Sequence, residues 1–185
     1  LVIYSTYLGG NGDDQGSRIT SDSFGNTYVA GFSTSDDYPT VSPTVLPVQS
    51  FRNGGRDVIV SKIDPFGTRL IFSTYLGGAG DDEATALAVD ARTAIYVAGR
   101  TNSLNFPVAP ATNTLQSGLA GGYTNGVHFD GFITKFNPTG VPLVISSYFG
   151  SDKHDVVVDG DFNNGYASGL TFNAGTFATN DEIRA

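Results

Sequence analysis

Residues Tyr4–Gly10 read YSTYLGG, and nearly the same letters, FSTYLGG, return at Phe72–Gly78. A third, more divergent copy, ISSYFGS, occupies Ile145–Ser151. The first two copies stand 68 residues apart, and the similarity continues without a gap for more than thirty residues. A segment that returns at a long, fixed spacing indicates one supersecondary unit copied along the chain. We therefore read the chain as a single repeat region with three units, approximately residues 1–67, 68–140 and 141–185.

Each unit contains short stretches rich in β-branched and aromatic residues, which is the composition of strands. The predicted strands of the first unit are Leu1–Leu8, Gly16–Ser23, Thr27–Ser33 and Asp57–Ile63. Those of the second unit are Leu70–Leu76, Ala84–Asp90, Ile95–Thr101 and Asp130–Phe136. The third unit offers Leu143–Phe149, Asp155–Asp159 and Gly165–Phe172. No segment shows sustained helical periodicity, so the sequence predicts an all-β protein.

The segments between the strands contain the residues of tight turns. Asp22–Asn26, DSFGN, supplies an Asp for backbone hydrogen bonds and a Gly for the left-handed position of a hairpin. Its second copy, Asp90–Ala94, has lost the Gly, and we expect that turn to differ in detail. Asp64–Gly67 and Asn137–Gly140 both place Pro second and Gly fourth. Two hairpins joined by a long link predict a four-stranded antiparallel meander.

Four strands that repeat with these turn residues between them are typical of propeller blades. Residues 4–14, 22–32 and 54–78 closely resemble the bacterial SBBP β-propeller repeat. The resemblance covers nearly all of residues 1–151 and extends weakly beyond them. It implies four-stranded antiparallel blades in large secreted or surface proteins of bacteria. It implies no assigned reaction and no catalytic residues.

The number of units is small for this architecture. Propellers usually have about 4–8 blades, whereas this chain holds two full units and part of a third. The sequence begins with a lone first-type strand and ends with second- and third-type strands. We expect either a fragment of a longer propeller or identical chains that complete one another as a ring or filament. The expected partners are therefore other protein chains or further repeats of the same polypeptide.

Composition excludes several classes of function. The net charge is −8 and the pI about 4.4, which argues against a nucleic-acid surface, since phosphate binding needs clustered Lys and Arg. No apolar run approaches the roughly 20 residues that span a bilayer. Cysteine is absent, so disulfides and thiolate metal sites are excluded. The acidity suits solubility or cation binding at an exterior surface.

Paired carboxylates recur after the glycine-rich turn of each unit. They are Asp13 with Asp14 and Asp81 with Asp82, and His154 with Asp155 takes their place in the third unit. Such pairs serve as acid and base or hold Ca²⁺ in other proteins. A catalytic site is single, however, whereas a structural cap recurs in every unit. We therefore expect these aspartates to accept hydrogen bonds from turn amides.

The metal candidate of the sequence is Asp159, Asp161 and Asn163. Oxygen ligands at alternate positions followed by Gly resemble the start of a calcium loop. Here the Gly falls one place late, and Leu170 stands where the loop needs Glu. An ordinary hairpin rich in Asp and Asn is the competing interpretation. No other cofactor is expected, because two histidines are too few for an all-histidine zinc site.

The function expected from the sequence is a non-enzymatic structural or binding module, extracellular or at the cell surface. The long links Ser35–Arg56 and Ser103–Phe129 are the natural place for any site, because function concentrates in variable loops. A polysaccharide-active enzyme with its site in those links is one alternative, and a lectin that binds glycans through exposed tyrosines is another. A unique cluster of carboxylates in one cleft would favour the enzyme.

Overall fold

The computed structural model describes residues 2–42, 48–110, 114–120 and 128–150, and the backbone of residues 157–161 and 168–172. None of these residues lies in a helix. The ten strands are β1 (Asp14–Ser21), β2 (Thr27–Ser33), β3 (Asp57–Ile63), β4 (Leu70–Leu76), β5 (Asp82–Val89), β6 (Ile95–Thr101), β7 (Asp130–Phe136), β8 (Leu143–Phe149), β9 (Val157–Asp161) and β10 (Ser168–Phe172). The predicted all-β fold is confirmed.

The strands form two four-stranded antiparallel sheets, which we call the first blade (β1-β2-β3-β4) and the second blade (β5-β6-β7-β8). A third sheet contains β9 and β10. The central pair of the first blade runs from Thr27 opposite Ile63 to Ser33 opposite Asp57 without a register shift. The second blade repeats this register position by position. Each blade takes its outermost strand, β4 or β8, from the next sequence unit.

Six strands have the bounds that the sequence predicts, namely β2, β3, β4, β6, β7 and β8. The innermost strands begin earlier than predicted, at Asp14 in β1 and Asp82 in β5. These aspartates stand opposite Ser33 and Thr101 in the antiparallel pairs. In the third unit, β9 and β10 overlap the two predicted strands but begin at Val157 and Ser168.

The prediction of a strand at Leu1–Leu8 is wrong for the residues that the structure describes. Residues 2–10 have no strand assignment, although their copies form β4 and β8. The reason is the absence of a ladder partner, because β4 pairs with β3 and β8 pairs with β7. Strand-forming residues need such a neighbour for their backbone N–H and C=O groups.

The two hairpin turns keep the same backbone geometry, and they differ in a side-chain bond: Asn26 Nδ2 donates to Asp22 Oδ2 at 2.8 Å, whereas Ala94 stands at that position in the second turn. The Gly25 amide donates to the Asp22 carbonyl at 3.0 Å, and the Thr93 amide donates to the Asp90 carbonyl at 2.8 Å. Thr93 takes φ 63° where Gly25 takes φ 82°. The turn is therefore retained, because the paired strands on either side and the Asp hydrogen bonds hold its geometry after the glycine is lost.

The core lies between the two blades. The back face of the first blade, defined by Tyr28, Ala30, Val58 and Val60, packs on the front face of the second blade. That front face is defined by Leu87, Ile95, Val97, Phe132 and Phe136. Phe72 of β4 closes the outer end of this core with its ring centroid 5.9 Å from that of Phe136. Successive side chains of a strand alternate between faces, so each blade has one face for each neighbour.

Candidate functional site

The recurring aspartates cap the glycine-rich turns. In the second blade, Asp82 Oδ2 accepts hydrogen bonds from the Gly78 amide and the Ser103 hydroxyl, both at 2.8 Å. In the first blade, Asp14 Oδ2 accepts from the Gly10 amide at 2.7 Å and the Ser35 hydroxyl at 2.8 Å. The structure therefore confirms the expected cap role for these two residues.

The start of each long link completes the cap. Ser103 Oγ accepts from the Gly80 amide at 2.8 Å, and the Asn102 side chain accepts from the Asp81 amide at 2.6 Å. The first blade uses the corresponding residues, Ser35 and Thr34. Each buried donor of the turn thus finds an acceptor, which removes the cost of an unpaired amide. His154 and Asp155, the third pair of the sequence, lie outside the described residues.

Glutamines in the long links anchor those links to the blades, and the sequence analysis missed them. Gln49 Nε2 donates to Asp57 Oδ2 at 2.5 Å, and Gln49 Oε1 accepts from the Gly77 amide at 3.0 Å. Gln116 repeats both contacts with Asp130 and Gly150, at 2.9 and 3.0 Å. The recurring pair Gln-Ser after an apolar residue is the signal that points to them.

A buried pair of carboxyl groups lies where the two blades meet. Asp57 begins β3 of the first blade and Asp82 begins β5 of the second, and both side chains are buried. A methyl group on Gly77 would contact both of them at about 2.8 Å, so this glycine separates the pair. Burial raises the pKa of the Asp82 carboxyl to about 6, and the charge of Asp57 adds to the rise.

A polar cavity of about 600 Å³ lies between the inner strands of the two blades, and we call it the arginine cleft. Its lining residues are Gln15, Gly16, Ser17, Arg18, Phe32, Arg56, Glu83, Ala84, Thr85 and Arg100. Glu83 is largely buried and binds two guanidinium groups. Arg56 Nη1 donates to Glu83 Oε1, while Arg100 Nε and Nη2 donate to Oε2 at 2.9 and 2.5 Å.

Each of these two arginines also covers a phenylalanine ring. Arg56 Cζ lies 5.0 Å from the centroid of Phe32, and Arg100 Cζ lies 4.7 Å from the centroid of Phe129. Phe32 and Arg100 occupy the same position of the repeat, 68 residues apart, and so do Arg56 and Phe129 after the longer second link. In the first blade the arginine of the cation–π pair follows its phenylalanine along the chain, and in the second blade it precedes it. This exchange brings both arginines to one cleft.

The charges of the arginine cleft do not follow the repeat. Ala86 stands in the second blade where the first has Arg18, and Gln15 stands in the first where the second has Glu83. The capping aspartates, by contrast, are the same in both blades. The unique cluster is thus mainly cationic, unlike the carboxylate cluster that would favour the enzyme.

The predicted metal site falls largely outside the described residues. The backbone of Asp159 and Asp161 belongs to β9, and Asn163 is among the residues that are not described. Calcium binding there stays a prediction. Within the described part of the chain, no group of three or more His, Asp or Glu side chains is arranged to hold a metal ion.

The tyrosines of β4 and β8 are core residues. Tyr75 and Tyr148 are fully buried. The Tyr75 hydroxyl accepts from the Tyr38 amide at 3.0 Å, and the Tyr148 hydroxyl donates to the Ser103 carbonyl at 2.6 Å. Their hydroxyl groups therefore fix the beginning of each link rather than face a ligand.

Comparison with known families identifies the repeat. Residues 3–39 and 71–107 each match the SBBP family, described as a beta-propeller repeat. These two matches coincide with the capped turn, the first hairpin and the start of the link in each blade. A search of curated proteins found no match to the chain. No helix among the described residues has the length and apolar character required to cross a membrane.

Proposed function

Since the chain carries two SBBP beta-propeller repeats, we propose that it is a non-enzymatic structural and binding module whose blades are completed into a propeller by further blades of the same kind. We further propose that it acts outside the cell or at the surface of a bacterium. The acidic composition and the resemblance to this repeat support that location. The partner is polypeptide, either a second copy of the chain or additional repeats.

One contact carries the proposal. The ring of Tyr4 lies over Gly67, where an added methyl group would fall 2.3 Å from ring carbon Cδ2. Phe72 lies over Gly140 in the same way, with 2.1 Å to Cδ2. Phe72 belongs to β4, the outermost strand of the blade that precedes Gly140. This equivalence supports the proposal that residues around Tyr4 belong to the outermost strand of a preceding blade.

The other three strands of that preceding blade have no counterpart among the described residues. A cavity of about 360 Å³ separates residues 4–8 from the front face of the first blade, lined by Ile19, Val29, Ile59 and Ile63 among others. Ile19 is 72% exposed, whereas its repeat counterpart Leu87 is 9% exposed at the interface between blades. Exposed apolar surface of this kind is typical of an interaction site.

The internal repeat indicates what fills this space. The front face of the second blade is covered by Tyr28, Ala30, Val58 and Val60 of the first. The front face of the first blade is built from equivalent positions in the same register. A blade with a back face like that of the first is therefore the partner that fits. It would also pair residues 4–8 with a neighbouring strand, as β3 pairs with β4.

The mass of the particle in solution tests the proposal. We expect the purified 185-residue chain, of 19.4 kDa, to form a defined larger particle at micromolar concentration. Light scattering after size exclusion measures this mass. A folded, cooperatively unfolding monomer at all concentrations would contradict self-completion and favour further repeats of a longer polypeptide as the partner. A folded monomer from the complete natural product, with a subunit mass of only 19.4 kDa, would overturn completion altogether.

A matched pair of variants distinguishes specific association through the front face from non-specific association. Ile19→Lys places a charge on the front face, where the side chain is already exposed in the single chain. We expect it to dissociate the particle while leaving the far-ultraviolet spectrum unchanged. Phe24→Lys changes an equally exposed side chain, 71%, at the first hairpin turn. It is expected to leave the mass unchanged.

The absence of an enzymatic role is part of this proposal. In the carboxylates that recur in the blades, Asp14 and Asp82, the Oδ2 atoms accept from turn amides and link hydroxyls, and the Oδ1 atoms are buried. General acid–base catalysis needs a group within reach of a substrate proton instead. Hydrolysis of labelled polysaccharides by the purified chain, abolished by Asp82→Asn but retained in a folded Asp22→Asn control, would contradict it.

A further inference from the structure

We propose that the arginine cleft binds a small ligand carrying one carboxylate, of the size and chemistry of a uronic acid. This ligand class extends the proposed function and rests on it only in treating the chain as a binding module. The cleft is formed within the two described blades, so it does not require completion of the propeller. The argument uses charge, hydrogen-bond donors, the size of the cavity and the exception to the repeat.

The concentration of positive charge in the cleft is unusual for this chain. The sequence has a net charge of −8 and contains ten Lys and Arg residues. Three of them, Arg18, Arg56 and Arg100, line this one cavity. Glu83 is the single carboxylate in the lining. A cleft lined mainly by one sign of charge concentrates counter-ions. The lining is therefore a local cationic surface in a protein whose net charge is negative.

The guanidinium groups retain donors after binding Glu83. Arg56 binds it through Nη1, and Arg100 through Nε and Nη2. In the described structure Arg56 Nη2 and Arg100 Nη1 have no acceptor, and a guanidinium has five N–H donors in total. The two side chains already hold one planar carboxylate between them. A second carboxylate finds the same fork geometry on their remaining edges.

The neighbouring acids limit how far charge alone selects the ligand. Asp81 and Asp13 act on Arg56 from outside the cleft lining, and they add to the effect of Glu83 in raising the pKa of its guanidinium. The Asp81 side chain also accepts from the Arg56 amide at 3.1 Å. Glu83, Asp81 and Asp13 offset the charge of the arginines for any anion, whatever its own charge. The ligand is therefore distinguished by the neutral polar groups of the lining as well as by charge.

The rest of the lining suits a polyhydroxylated molecule. Gln15, Ser17 and Thr85 supply amide and hydroxyl groups at the cavity wall. The volume of about 600 Å³ falls within the usual range for small-molecule sites, about 300–1,000 Å³. A uronic acid combines one carboxylate with several hydroxyl groups, so it matches both the charged and the neutral parts of this wall.

A purely structural role for the ion pairs explains less. Arg56 and Glu83 join the two blades, and one arginine is enough for that link. The additional presence of Arg100 adds positive charge without a further carboxylate in the lining. The capping network, which is structural, recurs in both blades, whereas this cluster does not. A site that departs from the repeat is what a single ligand requires.

Calorimetric titration of the full chain with sodium glucuronate tests the proposal, with glucose and sodium sulfate as reference ligands. We expect saturable binding of glucuronate that exceeds that of sulfate, and no binding of glucose. Arg56→Gln and Arg100→Gln should each weaken binding about tenfold or more, the effect of losing a charge-assisted hydrogen bond. Arg92→Gln removes the same charge from an exposed turn and is expected to have little effect.

Glu83→Gln provides a test that a folding defect cannot imitate. It removes the carboxylate that competes for Arg56 and Arg100, so we expect glucuronate to bind severalfold more tightly. No binding at any accessible concentration, equal weakening by Arg92→Gln, or equal affinity for sulfate would each overturn the proposal. So would weaker binding in a folded Glu83→Gln variant. The particle mass is measured on the same samples, so failure of this site and failure of blade completion are told apart.

Discussion

Thr93 occupies the turn position of Gly25 with the same left-handed backbone, at φ 63° against 82°. A β-branched residue in this region is strained by contact between its Cβ and the backbone. We expect Thr93→Gly to raise the free energy of unfolding by about 0.5–1 kcal/mol, after allowance for the greater chain entropy of Gly in the unfolded state. Chemical denaturation measures the change.

Two variants check that the effect comes from the backbone angle. Gly25→Thr should lower the stability by about the same amount, since it introduces the same strain in the first blade. Ala91→Gly lies in the same turn as Thr93 without a positive φ, and should lower the stability slightly. A stabilising Ala91→Gly would mean that glycine acts on the turn for some other reason.

Gln49 holds the first long link to the blade, and its removal should lower the free energy of unfolding. Its amide donates to Asp57 and to the Phe51 carbonyl at 2.5 and 2.8 Å, and its oxygen accepts from the Gly77 amide. Gln49→Ala leaves the Gly77 amide unpaired and Asp57 Oδ2 with the Asn53 amide alone, so we expect a loss of about 2–3 kcal/mol in the free energy of unfolding. Gln15→Ala, an exposed glutamine, is the control and should change stability by less than about 0.5 kcal/mol.

Equal effects of the two glutamine substitutions would contradict the anchoring role. Gln116→Ala extends the test to the second link, where the same contacts are made to Asp130 and Gly150. Limited proteolysis gives a second measurement, because a released link becomes accessible to cleavage. We expect cleavage within residues 35–56 in Gln49→Ala and within residues 103–129 in Gln116→Ala.

The strands were predictable because the repeat supplies the evidence twice. Where two copies agree, as in Thr27–Ser33 and Ile95–Thr101, the bounds of β2 and β6 follow from the sequence. The strand prediction for Leu1–Leu8 failed although its sequence matches that of β4. A strand also needs a neighbouring strand to pair with, and the sequence of the segment itself does not show whether one is present. Composition shows which residues favour a strand, but the strand forms only where a neighbouring strand completes the hydrogen-bond ladder.

The arginine cleft could not be predicted from the sequence. Arg56 and Arg100 stand 44 residues apart at different positions of the repeat, one before β3 and the other within β6. They meet because the second blade stacks on the first, which is a tertiary relationship. A comparison of the two copies of the repeat does single out both arginines, since each aligns with a phenylalanine in the other copy. Departure from a repeat was the available signal.

Asp82 should give the protein an unusual dependence of stability on pH. Its folded pKa of about 6 is above the usual 3.8, so the folded state binds the proton more tightly than the unfolded state. The stabilisation is fully present below about pH 4 and is lost as the pH rises through 6. We expect wild type to lose about 2 kcal/mol relative to Asp82→Asn between pH 4 and pH 6.

Asp22→Asn is the control of opposite sign. Burial alone would raise the pKa of Asp22, but hydrogen bonds from Asn26 and Tyr28 outweigh it, so the pKa is lowered. Wild type should therefore gain stability relative to Asp22→Asn as the pH rises. Urea unfolding from pH 2 to pH 7 measures both differences, because that of Asp22 develops mainly below pH 4 and that of Asp82 mainly above it. A flat difference for Asp82→Asn would show that its carboxyl titrates normally in the fold.

Gly140 and Gly67 make the same contact with an aromatic ring, but the rings differ in how firmly they are held. Phe72 is buried within β4, so the methyl group of Gly140→Ala cannot be relieved, and we expect a loss of about 2–4 kcal/mol from overpacking and the positive φ. Tyr4 lies outside any strand and can move away, so Gly67→Ala should cost only about 1 kcal/mol in the single chain.

Completion of the propeller should remove this difference, because a preceding blade would hold Tyr4 as β3 holds Phe72. In the assembled particle we therefore expect Gly67→Ala to become nearly as costly as Gly140→Ala, and Tyr4→Ala to relieve it in the double variant. Gly118→Ala, with open space around the new methyl group, is the control. Unfolding measured above and below the concentration at which the particle forms separates the two states. A cost for Gly67→Ala that stays the same in both would show that Tyr4 is not part of a completed blade.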